Sequence, residues 1–247
     1  MRDAHEERFR ASIGKTVERD NNFHRRKGMV PFFVHIIESP SDKDFLQGRT
    51  EGRLLTNGLD IAQILFSYSV AVNREAFEYA LKRRLSEGIV KYNLLPIIHF
   101  SAHGNNEGLA LTNGFIGWDE LDVLLSSINS MMNGCLIVSI SACSGFAGCK
   151  MAMKSNGPSP FHGIIGPTED ISLSDTAISF LVFYNLLSKG VDILSAVDAM
   201  NSVSGKSLFV VDTASNIKKR WESFCKNIDE KTLNAILVAI KSTGGFK

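Results

Sequence analysis

Two side chains stand where chemistry could begin, the imidazole of His103 and the thiol of Cys143. The first ends the run Leu94-Leu95-Pro96-Ile97-Ile98-His99-Phe100-Ser101-Ala102-His103-Gly104. The second ends Cys135-Leu136-Ile137-Val138-Ser139-Ile140-Ser141-Ala142-Cys143-Ser144-Gly145. Each run is apolar, carries β-branched residues, has the length of one buried strand and closes on a glycine. A thiol is a useful nucleophile when its thiolate is populated and its leaving group can be protonated, and a neighbouring imidazole serves both needs. Taken singly, a cysteine at a strand end is most often a small core residue, and a histidine before glycine says little. On matched strand ends the two together point to nucleophilic catalysis.

The two residues are 40 positions apart, and the interval holds one hairpin and one helix. That is room for a single right-handed crossover, which sets the two strands side by side with their ends on one edge. Gly104 then lets backbone approach a substrate closely, and Gly145 permits a tight turn out of the strand. A small-residue helix over 145–153 is expected to aim its positive end at the thiol and lower its pKa. The backbone N–H groups of Gly104 and Cys143 are placed to hold the oxyanion of a tetrahedral intermediate.

The rest of the chain supplies the frame. Apolar runs over 30–37, 66–72, 163–166 and 208–211 read as further strands. Periodic stretches over 50–65, 73–85, 118–129, 172–187 and 193–203 read as helices, and two more helices are expected to close the chain. Asn73 is a good N-cap. Asn113-Gly114 between apolar flanks signals a hairpin. Strands that are apolar throughout and alternate with helices predict a three-layer α/β/α sandwich with a mostly parallel sheet. In such sheets, sites gather at the C-terminal ends of the strands. Residues 1–28 read as a polar arm, and 29–247 as a single domain.

Composition excludes several classes. An apolar fraction of 44%, a charged fraction of 21% and a net charge of +1 over 247 residues give no basis for nucleic-acid or acidic-membrane binding. No apolar run is long enough to span a bilayer, and the first thirty residues lack the apolar centre of a signal peptide, so a cytoplasmic location is expected. Four scattered cysteines build neither a disulfide scaffold nor a zinc site. Gly14-Lys15-Thr16 lacks the earlier glycine of a phosphate loop, since Phe9 stands there. Cys135, Cys149 and Cys225 read as small hydrophobes. His99 reads as a core histidine on the same face as His103, and His35 and His162 as structural or exposed.

His-Gly after one strand and Ala-Cys-x-Gly after the next resemble the caspase-like cysteine peptidases, the superfamily of caspases, metacaspases, separase, gingipains, legumains and bacterial CHAT domains. Glu51-Gly52-Arg53-Leu54-Leu55, Trp118-Asp119-Glu120-Leu121 after the hairpin, and Gly163-Ile164-Ile165-Gly166 before a long helix are similar to CHAT-type and related bacterial members. The resemblance spans roughly residues 30–215. It implies peptide-bond hydrolysis through an acyl-enzyme, with Cys143 as nucleophile, His103 as acid and base, and no cofactor or third carboxylate.

The departures concern specificity. Caspases carry Gln-Ala-Cys, whereas this chain has Ser141-Ala142-Cys143. Ser141 also stands where many metacaspases carry an aspartate that helps bind a basic P1 side chain. In this fold Glu38 and the pair Glu169-Asp170 fall where substrate pockets form, and an acidic group lining the first pocket would select a basic P1 residue. Relatives are commonly held off until a cut, a ligand or a partner orders the pocket loops. That makes residues 155–160 and 42–48 candidate switch segments, and suggests a separately encoded activator or sensor in a bacterial defence system. Two other classes stay open, a catalytically silent caspase-like fold acting as a binding or scaffold module, and a different α/β hydrolase with a cysteine nucleophile.

Overall fold

Every residue of the first strand, β1 (Phe32–Ser39), is buried, because both of its faces are covered. Phe33 and Ile37 enter one apolar cluster, and Val34 and Ile36 enter a second on the opposite face. This computed structural model describes residues 32–154, 157–227 and 232. The expected polar arm, part of the 155–160 loop and any second closing helix lie outside the described residues.

The chain continues through α1 (Asp42–Leu46), α2 (Glu51–Ile61), β2 (Phe66–Val70) and α3 (Arg74–Tyr79). It passes by a π turn (Ala80–Arg84) into α4 (Leu85–Tyr92), then β3 (Leu95–Asn105), β4 (Gly108–Leu111), β5 (Gly114–Gly117) and α5 (Trp118–Met131). After β6 (Ile137–Ser141) comes a 3₁₀ turn (Gly145–Cys149). It leads to α6 (Lys150–Lys154), β7 (Gly163–Pro167), α7 (Leu173–Ser188), α8 (Ile193–Ser204), β8 (Phe209–Thr213) and α9 (Ala214–Asn227). The strands form one sheet in the order β2-β1-β3-β6-β7-β8, with the β4–β5 hairpin continuing from β3. All neighbours in the main path are parallel except β8, which runs antiparallel to β7 at the edge. Helices cover both faces, so the expected three-layer α/β/α sandwich is the fold. Among the described residues no helix is long and apolar enough to cross a membrane.

Two local readings are corrected. The helix begun at Asn73, which caps it through Ala76 N–H, does not stop at Leu85 but runs through the π turn to Tyr92. The stretch after Cys143 is a five-residue 3₁₀ turn followed by a five-residue α-helix, not one helix over 145–153. The single long helix expected to point at the thiol is therefore not formed there. The candidate switch segment 42–48 contains the small helix α1, capped by Ser41.

The two faces of the sheet differ in polarity. The face under α3–α6 is apolar at Ile98, Phe100, Val138 and Ile140. The face under α2 and α7 carries Ile97 and Val34 but also the buried polar groups Glu38, His99, Ser101, Ser139 and Ser141. All five sit in the same alternation phase toward the strand ends.

His35, on the other face, is fully buried. Its Nε2 lies 3.0 Å from the Ala80 carbonyl in the π turn and its Nδ1 2.6 Å from Ser67 Oγ. A neutral ring donating to Ala80 and accepting from Ser67 satisfies both nitrogens. Burial pushes this imidazole down to about 4, against about 6.5 in an unfolded chain. Between those values the unfolded chain binds a proton that the folded chain does not, so this residue's contribution falls as pH drops from 6.5 to 4. Glu38 gives the opposite slope, because burial holds its carboxyl above the usual range. Comparison with His35→Gln isolates the histidine. The urea-unfolding free energy of wild type should lose its lead over the variant by about 1.4 kcal/mol per pH unit below 6.5. A lead constant from pH 7 to 4.5 would refute this account.

Candidate active site

The last residue pair joining β3 to β6 is Ser101 with Ser141. His103 and Cys143 each lie two residues beyond it, on adjacent parallel strands, at the C-terminal edge of the sheet. Past Ser101 the strand β3 changes partner. His103 pairs with Ala110 and Gly104 with Leu109 of the hairpin strand β4, which fixes the course of the histidine's backbone. β6 ends at Ser141, and the chain turns at once. Gly145 N–H donates to the Ala142 carbonyl at 2.9 Å, and Ser144 N–H to the Glu169 carbonyl at 3.2 Å.

That turn is sharp enough to hold Ser144 at φ 54°, in the left-handed region that a side chain normally avoids. It presents Cys143 as a half-buried free thiol, with Sγ 3.9 Å from the Ile171 carbonyl. Among the described residues the Cys143 N–H donates to no backbone carbonyl of a turn or loop. Gly104 brings the other strand end against this turn. A Cβ at position 104 would stand 2.8 Å from Ala142 Cβ and 3.0 Å from the Cys143 carbonyl oxygen. Only glycine allows the two ends to come so near.

The His103 side chain is 65% exposed, and its Nε2 lies 3.7 Å from Asp44 Oδ2. Asp44 sits on α1, where its carboxylate accepts the Ser41 hydroxyl at 2.5 Å. A carboxylate therefore faces the imidazole, beyond direct hydrogen-bond distance. The dyad pattern pointed to no such residue, and nothing in the sequence around Asp44 marks it.

His103 and Cys143 line one cavity of about 70 Å³, together with the end of β1 (Glu38, Ser39, Pro40), the α1–α2 strap (Asp44, Arg49, Thr50) and the start of α7. Its polar residues include Glu51, Ser101 and Ser141. Glu51 is 1% exposed, and its carboxylate accepts Ser101 Oγ at 2.5 Å and Ser141 Oγ at 2.7 Å. Glu38 is equally buried. It accepts Gly52 N–H at 2.8 Å and the Tyr68 hydroxyl at 2.6 Å, and a Cβ on Gly52 would collide with both Tyr68 and Glu38.

Of the residues singled out in the sequence, His103, Gly104, Cys143, Glu38 and Ser141 are thus gathered at one place. Glu169 and Asp170 are not. Both are exposed and outside this cavity; Asp170 borders a separate hollow with Ser172, Asp175 and Lys206. Glu169 serves the site only through its carbonyl, which accepts the Ser144 N–H. Glu51 was noted only within a motif. The signal that could have found it is the pair of serines at 101 and 141, each two residues before the histidine or cysteine in an otherwise apolar run. No protein-family model matches the sequence, and no curated protein matches it.

Gly104→Ala tests the close approach of the strand ends. Its Cβ meets backbone and a neighbouring Cβ, which cannot swing away. The substitution is expected to destabilise the protein by about 1–3 kcal/mol, as a lowered urea midpoint. Stability equal to wild type would show that the ends are not tightly packed.

Proposed function

We propose that this protein is a cysteine endopeptidase that cleaves protein or peptide substrates with His103 and Cys143. One observation carries the reading. An imidazole and a thiol, each two residues past a shared strand pair, line the same cavity at the C-terminal edge of a parallel sheet.

In this mechanism His103 removes the thiol proton, and Cys143 Sγ attacks the carbonyl carbon of the scissile bond. The Cys143 N–H, which among the described residues donates to no turn or loop carbonyl, is the proposed first donor to the developing oxyanion, and Gly104 the second. Collapse of the intermediate breaks the C–N bond, and His103 gives its proton to the leaving amine. A water molecule, deprotonated by His103, then hydrolyses the thioester and frees the thiol. Asp44 stands 3.7 Å from His103 Nε2, on the side of the ring where the base works. The reading carries with it a cytoplasmic location and control by a separately encoded activator or sensor acting on the pocket loops.

The test is alkylation of Cys143 by a peptidyl acyloxymethyl ketone, located by mass spectrometry. Labelling is expected at Cys143 in preference to the exposed Cys135 and Cys225, and to fall at least about 100-fold in His103→Ala. Labelling indifferent to His103, or no faster at Cys143 than at the exposed thiols, would favour a catalytically silent fold that binds other proteins.

A further inference from the structure

The inner part of the cavity beside the dyad holds two carboxylates and no cation. Glu38 and Glu51 are both 1% exposed, and among the described residues neither forms an ion pair with a lysine or arginine. Buried charges are normally paired, because desolvation is costly. Here the two acids instead act on each other. Glu51 adds to the burial that holds the Glu38 carboxyl above its usual range.

The two are not equivalent. Both oxygens of Glu38 are engaged by the structure itself, one by the Gly52 N–H and the other by the Tyr68 hydroxyl. Glu51 takes one hydroxyl on each oxygen, from Ser101 and Ser141. A carboxylate offers about four acceptor sites, so about two remain for a further donor. Glu51 is also the first residue of α2, where the helix's positive end favours a negative charge. An imidazole stands beside this carboxylate. His99 Nε2 is fully buried, has no hydrogen-bond partner and stands 3.7 Å from Glu51 Oε1, with Nδ1 held by Tyr184. Apart from this imidazole, which pairs with Glu51 only if protonated, no cationic side chain is ion-paired to either acid among the described residues. Arg49, at the cavity wall, is exposed and ion-paired to neither acid among the described residues. Among the described residues no three His, Cys, Asp or Glu side chains are grouped to hold a metal ion, so an organic cation suits the place better.

We propose that this cavity is the first specificity pocket of the peptidase, that Glu51 is its reading group, and that it selects substrates cleaved after arginine or lysine. The proposal rests on the peptidase reading for its position in a substrate, and on Glu51 for its charge. A guanidinium entering beside Cys143 supplies planar, paired donors for the free acceptor sites of Glu51 and offsets its buried charge. An acidic P1 side chain would add a third negative charge to the same small space. Ser101 and Ser141 act as positioning residues by fixing the carboxylate from two strands.

Two measurements test this separately from the peptidase reading. The first needs no catalysis. Agmatine, an alkylguanidinium, should bind the wild type and Cys143→Ala alike by titration calorimetry, and about 10- to 100-fold more weakly to Glu51→Gln. Ser141→Ala, which removes one support but no charge, should fall between them, and circular dichroism confirms folding of each variant. Absence of binding, or binding equal in Glu51→Gln, overturns the proposal. The second compares labelling of Cys143 by ketone probes with arginine, lysine, aspartate or leucine at P1. Arginine and lysine probes should react about 100-fold faster than the others, and the preference should collapse in Glu51→Gln. Preference for aspartate or leucine overturns the proposal. Agmatine binding lost in Glu51→Gln, with no probe labelling Cys143, keeps the cation pocket and sinks the peptidase reading alone.

Discussion

The hydrogen bonds that Glu51 accepts from Ser101 and Ser141 tie together the three elements on which the site depends. Ser101 belongs to β3, Ser141 to β6, and Glu51 opens α2 on the far side of β1 in the chain. The two serines are also the last paired residues of the two strands. One carboxylate therefore marks the point where the regular sheet ends and the reactive residues begin. Removing it would leave two buried hydroxyls to find other partners, each at a cost of about 1–3 kcal/mol. The constraint runs the other way as well. A carboxylate at this depth is tolerated because it is met by two donors and a helix N-terminus.

Glu38 shows how this arrangement is anchored. Its carboxylate receives the N–H of Gly52, one of the first N–H groups of α2, which have no partner within the helix. The cap of α2 therefore comes from the end of β1, not from Thr50, whose side chain makes no capping bond. Gly52 has no side chain because Tyr68 and Glu38 already fill the space. Thus Glu-Gly at the helix start is explained by packing. The glutamate turns inward to the serines, and the glycine lets the helix end sit against the sheet.

The architecture was legible in the sequence because continuous apolar runs alternating with periodic ones have few other solutions. The pairing of His103 with Cys143 at one edge followed from the single crossover between their strands. The failures have physical causes. The helix after Asn73 was cut short because Lys82-Arg83-Arg84 resembles a C-terminal turn, yet these residues form surface ion pairs with Glu78 and Glu87 while the helix continues. The turn after Cys143 was read as a helix from its composition alone, and a left-handed Ser144 leaves no trace in a sequence. Glu169 and Asp170 were read as pocket groups because they follow a strand end. The loop carries them outward, and it is a carbonyl that faces the nucleophile's turn. Asp44 and Glu51 depend on distances between segments far apart in the chain, which no local pattern encodes.

The same sheet edge separates stability from reactivity. Up to Ser101 and Ser141, β3 and β6 are locked by parallel pairing and by two apolar clusters. Beyond them, the histidine is held by a short antiparallel hairpin and the cysteine by a strained turn, and the imidazole is largely in solvent. The strand ends stay packed together at Gly104, while the imidazole beyond them lies largely in solvent. The strap bearing Asp44 and Arg49 shares this character, since α1 has no buried residue and leaves Phe45 and Leu46 exposed. The His103 imidazole and the Asp44–Arg49 strap therefore sit on the exposed side of the cavity. Glu51, by contrast, is buried and held from two strands. In the peptidase proposed above, the geometry of attack could then adjust while the charge proposed to choose the substrate stays fixed.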